Sequence, residues 1–551
     1  MKKILYILIA VACLSLSSCN DWLDVNDNPN SGTEYGPSPD QRLPSILAQY
    51  MDAYESAGTR CALMGQQLSC VYALNNNWYF SAWRSTAGSA AWPWQAWYVN
   101  TAVNFDRLIE SAEEVGAYHY IGAAKVIKAS GFALMADLYG ILPYQEAFSP
   151  TIAVPAFDDA QYIYENVIFQ LLDEAIVEFN KTQTNSLAPT LKAGDPLNGG
   201  DVNKWIMLAN GLKARHLNHL SKKASYDPQA IIAALDKAPK TVAQSSIYQY
   251  VDETPSASTA KEALQYTNTG FTVRFTKQYI DYLTNTYPTV SAAASGIEDP
   301  RVDIIIPSYQ KKDGTMERSA GVDMASNLPN VGPSQYSYDK DLKEYVTSNT
   351  SRKGDTIYVQ MRKSTATDGR IVSTGSWYTQ RGGQCLFVTA AEMKFIEAEV
   401  KFRLNNADVE ALNAYHDGIR LHMEMLGVAS ADAEAYIASP AVAKAGELTM
   451  SHIMIQKYIA MSFSPEIFSD LRRHNYCSNS SGQYDVAQGV YKGFVRPANL
   501  YSISYPNATD WPRRFAMASY EVNYNTNKLL EKDPDATKDT YLSKPVWWDQ
   551  P

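Results

Sequence analysis

The chain reads as a mostly α protein: a tetratricopeptide-like helical-hairpin scaffold with a large loop-rich insertion containing short β-strands. Three observations predict this. Long stretches carry apolar residues at three- and four-residue intervals, as helices with one buried face do. Small residues (Ala, Gly) recur opposite large ones, as close packing in antiparallel hairpins requires. Between residues 241 and 384 the periodicity gives way to Gly, Ser, Thr, Pro and Tyr, with short β-like pieces such as "DTIYVQM" among turns. No strict 34-residue period is visible, so any repeat is degenerate.

The first residues set the compartment. Lys2 and Lys3 precede an apolar run from Ile4 to Leu14, too short to cross a bilayer, and "LSLSSC" puts small residues directly before Cys19. Residues 1–18 are thus expected to be a signal peptide ending in a lipobox, with the Cys19 thiol as acceptor for diacylglycerol. Residues 19–42 follow as a lipidated N-terminus and polar tether carrying Asp21, Asp24 and Asp27. Residues 43–551 form the body. No later stretch approaches the ~20 apolar residues of a membrane-spanning helix, so lipid is the expected anchor.

Within the body, residues 43–240 are the helical scaffold. The helical segments are "SILAQYMDAYESAG", "YIGAAKVIKASGFALMADLYG", "QYIYENVIFQLLDEAIVEFN" and "NKWIMLANGLKARHLNHLSKK". The insertion occupies 241–384. Helices resume over 385–551 with "TAAEMKFIEAEVKFRL", "VEALNAYHDGIRLHMEML" and "TMSHIMIQKYIAM", before an irregular tail rich in Tyr, Asn and Pro.

A formal charge of −10 over 551 residues argues against a nucleic-acid or anionic-membrane binder. Once Cys13 is removed and Cys19 lipidated, Cys61, Cys70, Cys385 and Cys477 remain. Their spacing fits no zinc pattern, and Cys61 with Cys70 offers at most a disulfide. His216 and His219 share a helix face, but no third ligand is visible, so both are assigned to the polar core and no metal or cofactor is expected. Glu397 and Glu399 point about 200° apart on a helix and do not converge as a catalytic pair. Arg472, Arg473, Arg513 and Arg514 are expected to pair with carboxylates inside the scaffold. No H-E-x-x-H, G-x-S-x-G or phosphate-binding glycine loop occurs, and no catalytic residue is assigned.

The stretch "NNNWYFSAWRSTAGSAAWPWQAWYVN" (75–100) holds five of the eleven tryptophans. Its second half follows one helical stripe after Pro93: Trp94, Trp97, Tyr98, Thr101, Phe105, Leu108 and Ile109, expected to be core. In the first half, Asn75, Asn76, Asn77, Trp78, Tyr79 and Trp83 share no clear amphipathic period. Amides beside flat rings suit a sugar, whose apolar C–H faces stack while its hydroxyls hydrogen-bond. These six, with Trp92, are the expected ligand-binding residues; the alternative is that the rings pack the scaffold.

Several strings in order along the chain resemble the SusD/RagB family of outer-membrane nutrient-binding lipoproteins. They are the lipobox followed by "DWLDVNDNPN", "DLYGILPYQEAF" (137–148), the Trp205 to Arg215 segment, "DPR" (299–301), "IQKYIAM", "EIFSDLRRHNY", "PRRFAMASYEVNYN" and the closing "VWWD". The family's usual tryptophan is replaced by Phe468, and its Tyr-Pro by Ala516-Met517. The resemblance implies a tetratricopeptide-like fold that docks as a hinged lid over a TonB-dependent β-barrel transporter (SusC-like). It implies an oligosaccharide or, in some members, a peptide ligand, and no catalysis. The acidic tether resembles surface-export signals, which implies an outer-membrane protein facing the cell exterior. A surface glycoside hydrolase, needing two opposed carboxylates, is the rival from another class. A structural or adhesive surface protein is the third.

Overall fold

The computed structural model describes residues 36–70, 76–250, 273–286, 296–311, 313–325, 336–339, 344–347, 357–380, 382–479 and 481–551. Cys19, the tether up to residue 35 and much of the insertion therefore lie outside the described residues.

Helices dominate. The first, α1 (Pro39–Met64), opens with Pro39 in its first turn, where a missing N–H costs nothing. After it come β1 (Leu68–Cys70), α2 (Asn76–Ser81), α3 (Ala91–Gln95), α4 (Phe105–Val115) and α5 (Tyr118–Tyr139). Then follow α6 (Phe169–Phe179), α7 (Val202–His219) and α8 (Pro228–Leu235). Consecutive helices pack on one another: α4 on α5, α5 on α6, α6 on α7 and α7 on α8. The C-terminal part repeats the arrangement with α9 (Ala390–Leu404), α10 (Val409–Met425), α11 (Met450–Ala460) and α12 (Glu466–Arg473), and α9 packs on both α10 and α11. Local chemistry starts these helices where the sequence supplies an acceptor. Asp201 takes the N–H groups of Asn203 and Lys204 at α7, Thr389 takes that of Glu392 at α9, and Thr449 that of His452 at α11.

The small residues set the helix spacing. A Cβ at Gly131 on α5 would lie 1.9 Å from the Trp97 ring, and one at Gly418 on α10 would lie 2.8 Å from the Phe395 ring on α9. Each glycine is the recess into which a large ring from the neighbouring element fits.

The ends of the insertion are stitched to the scaffold by strands. β2 (Ser246–Gln249) pairs antiparallel with β4 (Gln384–Val388), placing Cys385 opposite Tyr248. β3 (Val273–Phe275) pairs antiparallel with β1, with Ser69 opposite Arg274. Residues 357–360 of "DTIYVQM" are irregular rather than extended in a sheet, so that expected strand is corrected. Ile357 O accepts from Ala320 N–H at 3.0 Å, but the Val359 N–H is taken by the Ser319 hydroxyl at 2.8 Å, so no regular ladder continues.

A buried polar network runs through the scaffold. Arg215 on α7 pairs with Glu392 on α9 at 2.6 Å, and Arg473 on α12 with Glu399 on α9 at 2.7 Å. Lys457 on α11 pairs with Asp470 on α12 at 2.9 Å. Arg301 pairs with Asp299 and also donates to Gln456 on α11. Glu397 meanwhile faces outward to Lys394 and Lys401, which matches the predicted divergence of the two glutamates. The four arginines split. Arg473 and Arg513 pair with carboxylates, the latter with Asp549 at 2.9 Å. Arg472 and Arg514 are a correction: they donate mainly to backbone carbonyls, of Asp137 and Arg513 in one case and of Lys544 and Pro545 in the other. Carbonyls at helix and loop ends offer the same acceptor chemistry without a second charge.

Candidate functional site

The aromatic segment divides, but not where the sequence pattern placed the line. α3 begins at Ala91, so Pro93 stands inside the first turn rather than at its first position, and a π-turn (Ala96–Thr101) continues it. Trp94, Trp97, Thr101, Phe105 and Leu108 are buried as the stripe predicts, while Tyr98 and Ile109 pack at the core's edge. Gly131 accommodates Trp97.

Upstream, Asn75 lies outside the described residues, as do the side chains of Asn76, Asn77 and Trp78. The backbone of 76–81 is helical, although no amphipathic period announced it. That helix ends in a tight reversal: Trp83 N–H bonds Phe80 O at 3.1 Å and Arg84 N–H bonds Tyr79 O at 2.6 Å. Trp83 takes the left-handed conformation (φ 55°) that glycine usually holds at such an end. A non-glycine residue there costs roughly 1–2 kcal/mol.

Burial offsets that strain. Trp83 is 0% exposed and is enclosed by Phe494, Tyr505, Trp511 and Tyr476, with ring centroids 5.8–6.5 Å away. Its Nε1 donates to Met64 O at 3.0 Å. Trp83 is therefore a core residue and is corrected from the ligand-binding set: no face of its ring is open to a sugar. The hydrophobic partners that claim it lie some 400 residues downstream and are invisible to local periodicity.

The same reversal turns the next residue outward. Arg84 is exposed, with its guanidinium 4.4 Å from the centre of the Tyr501 ring and 5.6 Å from that of half-buried Tyr79. Trp92 is 42% exposed and its Nε1 donates to Asp52 Oδ2 at 3.2 Å, which fixes the ring's edge. Of the expected ligand residues whose side chains are described, Tyr79 and Trp92 are accessible and Trp83 is not.

Beside Arg84 lies a cleft of about 210 Å³ between residues 84–87, α13 (Ser519–Tyr524) and residues 536–542. Sequence reasoning missed this cleft, Arg84 and Tyr501. An arginine directly after a tryptophan in a loop was the one signal present. It also missed the exposed rings of Tyr520, Tyr524 and Phe148.

The remaining titratable clusters are closed. Asp137 supplies the third group that the sequence did not reveal beside His216 and His219, with donor atoms within 4.8 Å of one another. His219, however, bonds Glu466 at 2.7 Å and Tyr164 at 2.8 Å. Burial alone would lower its pKa, but the Glu466 and Asp137 carboxylates outweigh burial and hold it up at about 9. A cation would have to displace that proton. Burial and the His219 charge push His216 down to about 3, so it stays neutral. Burial raises the pKa of Glu521, and its oxygens accept from Trp94 and Asn525. Carboxylates such as Glu399 and Glu466 are held low by cations despite their burial. Cys61 and Cys70 are buried and not joined in a disulfide.

Packed helical hairpins, a closed ionic core and a surface presenting aromatic rings thus characterise the described residues. The chain belongs to the SusD-like family described as starch-binding and associating with the outer membrane, which matches residues 40–484. Solved structures share the fold at low identity. A chitin-binding SusD homolog from Flavobacterium johnsoniae is 18% identical with a TM-score of 0.63, covering 92% of this chain and 98% of its own. A SusD/RagB family protein from Bacteroides thetaiotaomicron is 19% identical with a TM-score of 0.63, covering 93% and 99%. A Bacteroidetes SusD-like protein reaches 0.67 at 19% identity, covering 94% and 100%. No curated protein matches the chain.

Proposed function

We propose that this protein is a lipid-anchored, surface-facing receptor that binds an oligosaccharide and delivers it to a TonB-dependent outer-membrane transporter. The observation that carries the reading is the family match over residues 40–484, on a chain that presents Tyr79 and Trp92 at its surface. The likeness to the chitin-binding SusD homolog from Flavobacterium johnsoniae supports a glycan as the ligand class. Asn75, Asn76, Asn77 and Trp78, which precede Tyr79, are proposed to complete the platform.

Binding rather than catalysis fits the carboxylates. Glycoside hydrolysis needs a protonated acid facing a second carboxylate across the scissile bond. Glu521 has a raised pKa, but its oxygens are already tied to Trp94 and Asn525. Attachment is assigned to lipid on Cys19, since no helix among the described residues is long and apolar enough to cross a membrane. The test is a calorimetric titration with malto- and chito-oligosaccharides, run alongside an assay for released products. Saturable binding without product supports the reading; turnover, or binding of peptides alone, overturns it. Co-purification from mild detergent with a β-barrel transporter, lost with Cys19→Ala, checks delivery and anchoring.

A further inference from the structure

Among the described residues, no carboxylate neutralises Arg84. Arg215, Arg301, Arg473 and Arg513 each meet a carboxylate within 3 Å. Arg84 has no hydrogen-bonding or ionic partner for its guanidinium among the described residues, and only the faces of Tyr79 and Tyr501 hold it. Stacking of this kind fixes the guanidinium plane while leaving its edge, with up to five N–H donors, pointing at whatever occupies the space beside it.

That space is the 210 Å³ cleft. Its floor includes the apolar side chains of Ala516, Met517, Val522 and Leu542, and Arg84, Thr537, Lys538 and Asp539 are exposed at its polar rim. An apolar floor under a polar rim suits one face of a sugar ring, with its hydroxyls turned to the edge. The rim charges are partly spent. Lys538 pairs with Asp535 at 2.7 Å, and Asp539 accepts the Tyr501 hydroxyl at 3.3 Å. Arg84 is the charge left over.

We propose that this cleft is a subsite for an anionic sugar, with Arg84 gripping the carboxylate or sulfate edge-on while the ring lies on the apolar floor. The proposal deepens the glycan-binding reading and rests on it. A flat, forked donor matches a planar carboxylate bidentately and a sulfate through two of its oxygens. The chain's net charge of −10 does not oppose this at contact range, because charges beyond about 8 Å are largely screened at physiological salt. The contact itself is exposed, so its strength falls as salt rises.

The test is calorimetry on the full chain in detergent with four oligosaccharides: an oligogalacturonate, a chondroitin sulfate tetrasaccharide, maltohexaose and chitohexaose. The expected result is binding of at least one anionic ligand, weakened about tenfold or more by Arg84→Gln, a loss of ~1.4 kcal/mol. Arg84→Lys keeps the charge but loses the fork, so it falls between. The melting temperature stays unchanged in both, and added salt weakens the anionic ligand alone. Whether the uronate or the sulfate arm responds identifies the acidic group. Binding of neutral glycans only, or anionic binding indifferent to Arg84→Gln, overturns the subsite while leaving glycan capture standing. An acidic peptide bound with the same Arg84 dependence overturns the sugar assignment. Failure of all four glycans overturns both readings.

Discussion

Arg472 and Arg84 are each held by two aromatic rings. Arg472 lies 4.1 Å from the Phe468 ring centre and 4.6 Å from that of Trp548; Arg84 lies 4.4 Å from Tyr501 and 5.6 Å from Tyr79. The clamps are alike and the surroundings are not. Arg472 is 0% exposed, and its N–H groups are taken by the carbonyls of Phe468, Asp137 and Arg513. It ties α12 to the end of α5 and to the C-terminal tail. Arg84 is exposed, and its guanidinium donates to none of the described residues. A stacked guanidinium is a structural joint where backbone closes around it; where it stays exposed, as at Arg84, it is the proposed ligand contact. Family-like strings such as "EIFSDLRRHNY" mark the joints; the open one sits in no such string.

The sharpest break of this comparison is to truncate both. Arg472→Ala orphans buried carbonyls and leaves a void, and should cost about 3–5 kcal/mol by the usual penalties for unpaired buried acceptors plus lost packing. Arg84→Ala should stay within about 0.5 kcal/mol, as surface changes do. Urea unfolding of both variants checks this. Equal losses would mean that Arg84 is also a joint.

Trp83 and Trp92 make the same contrast with rings. Trp83→Ala should destabilise by about 3–5 kcal/mol as a large-to-small core change. Relief of its left-handed backbone does not rescue the variant, because alanine suffers the same φ penalty. Trp83→Gly separates the terms: it relieves the backbone while losing the ring, and should lose less than the alanine variant. If Trp83→Ala unfolded at the wild-type midpoint, the ring would not be the keystone that its four aromatic neighbours suggest.

How much of this was legible follows from range. Helices declare themselves within a dozen residues, so the segments through "YIGAAKVIKASGFALMADLYG" and "TAAEMKFIEAEVKFRL" were readable, as was the buried stripe from Trp94 to Leu108. Trp83 was misread because its neighbours at 476, 494, 505 and 511 come from the irregular tail, where no period exists. Arg84 and its cleft were missed for the same reason: Tyr501, Val522 and residues 536–542 meet it only in three dimensions. Asp137 likewise reaches the histidines of α7 from another helix. Pattern gives the elements, whereas a site built across distant segments needs the fold.

Those histidines supply a pH test of the closed core. His219, ordinarily near 6.5, is raised to about 9, so its stabilisation is present in full below about 6.5 and is lost as pH rises through 9. His216, lowered to about 3, acts oppositely: the fold holds it neutral, and stability drains as pH falls from 6.5 towards 3. Two groups one helical turn apart thus set a stability maximum near pH 6.5. The His219 limb is worth about 3 kcal/mol at 1.36 kcal/mol per unit. His219→Gln should flatten the alkaline limb and His216→Gln the acid one in unfolding measured from pH 4 to 10. An alkaline limb that survives His219→Gln would place its origin elsewhere.

At Trp92 a small expected change in stability goes with a measurable expected change in binding. Trp92 is 42% exposed and its indole N–H is fixed by Asp52, so the ring is oriented without being packed on its open side. Trp92→Ala should shift stability by under about 1 kcal/mol, since little of the ring is withdrawn from water. If Trp92 and Tyr79 form the proposed platform, each truncation removes a stacked contact worth about 0.5–1.5 kcal/mol beyond its area, which lowers affinity by up to about tenfold. Trp92→Phe retains a flat face and loses the Asp52 anchor, so it should bind between the two. Titrations of the three forms with the best glycan found above, beside one melt each, decide it. Trp92→Ala binding as tightly as the wild type would remove Trp92 from the platform and leave Tyr79 beside Arg84 as the place where a sugar is held.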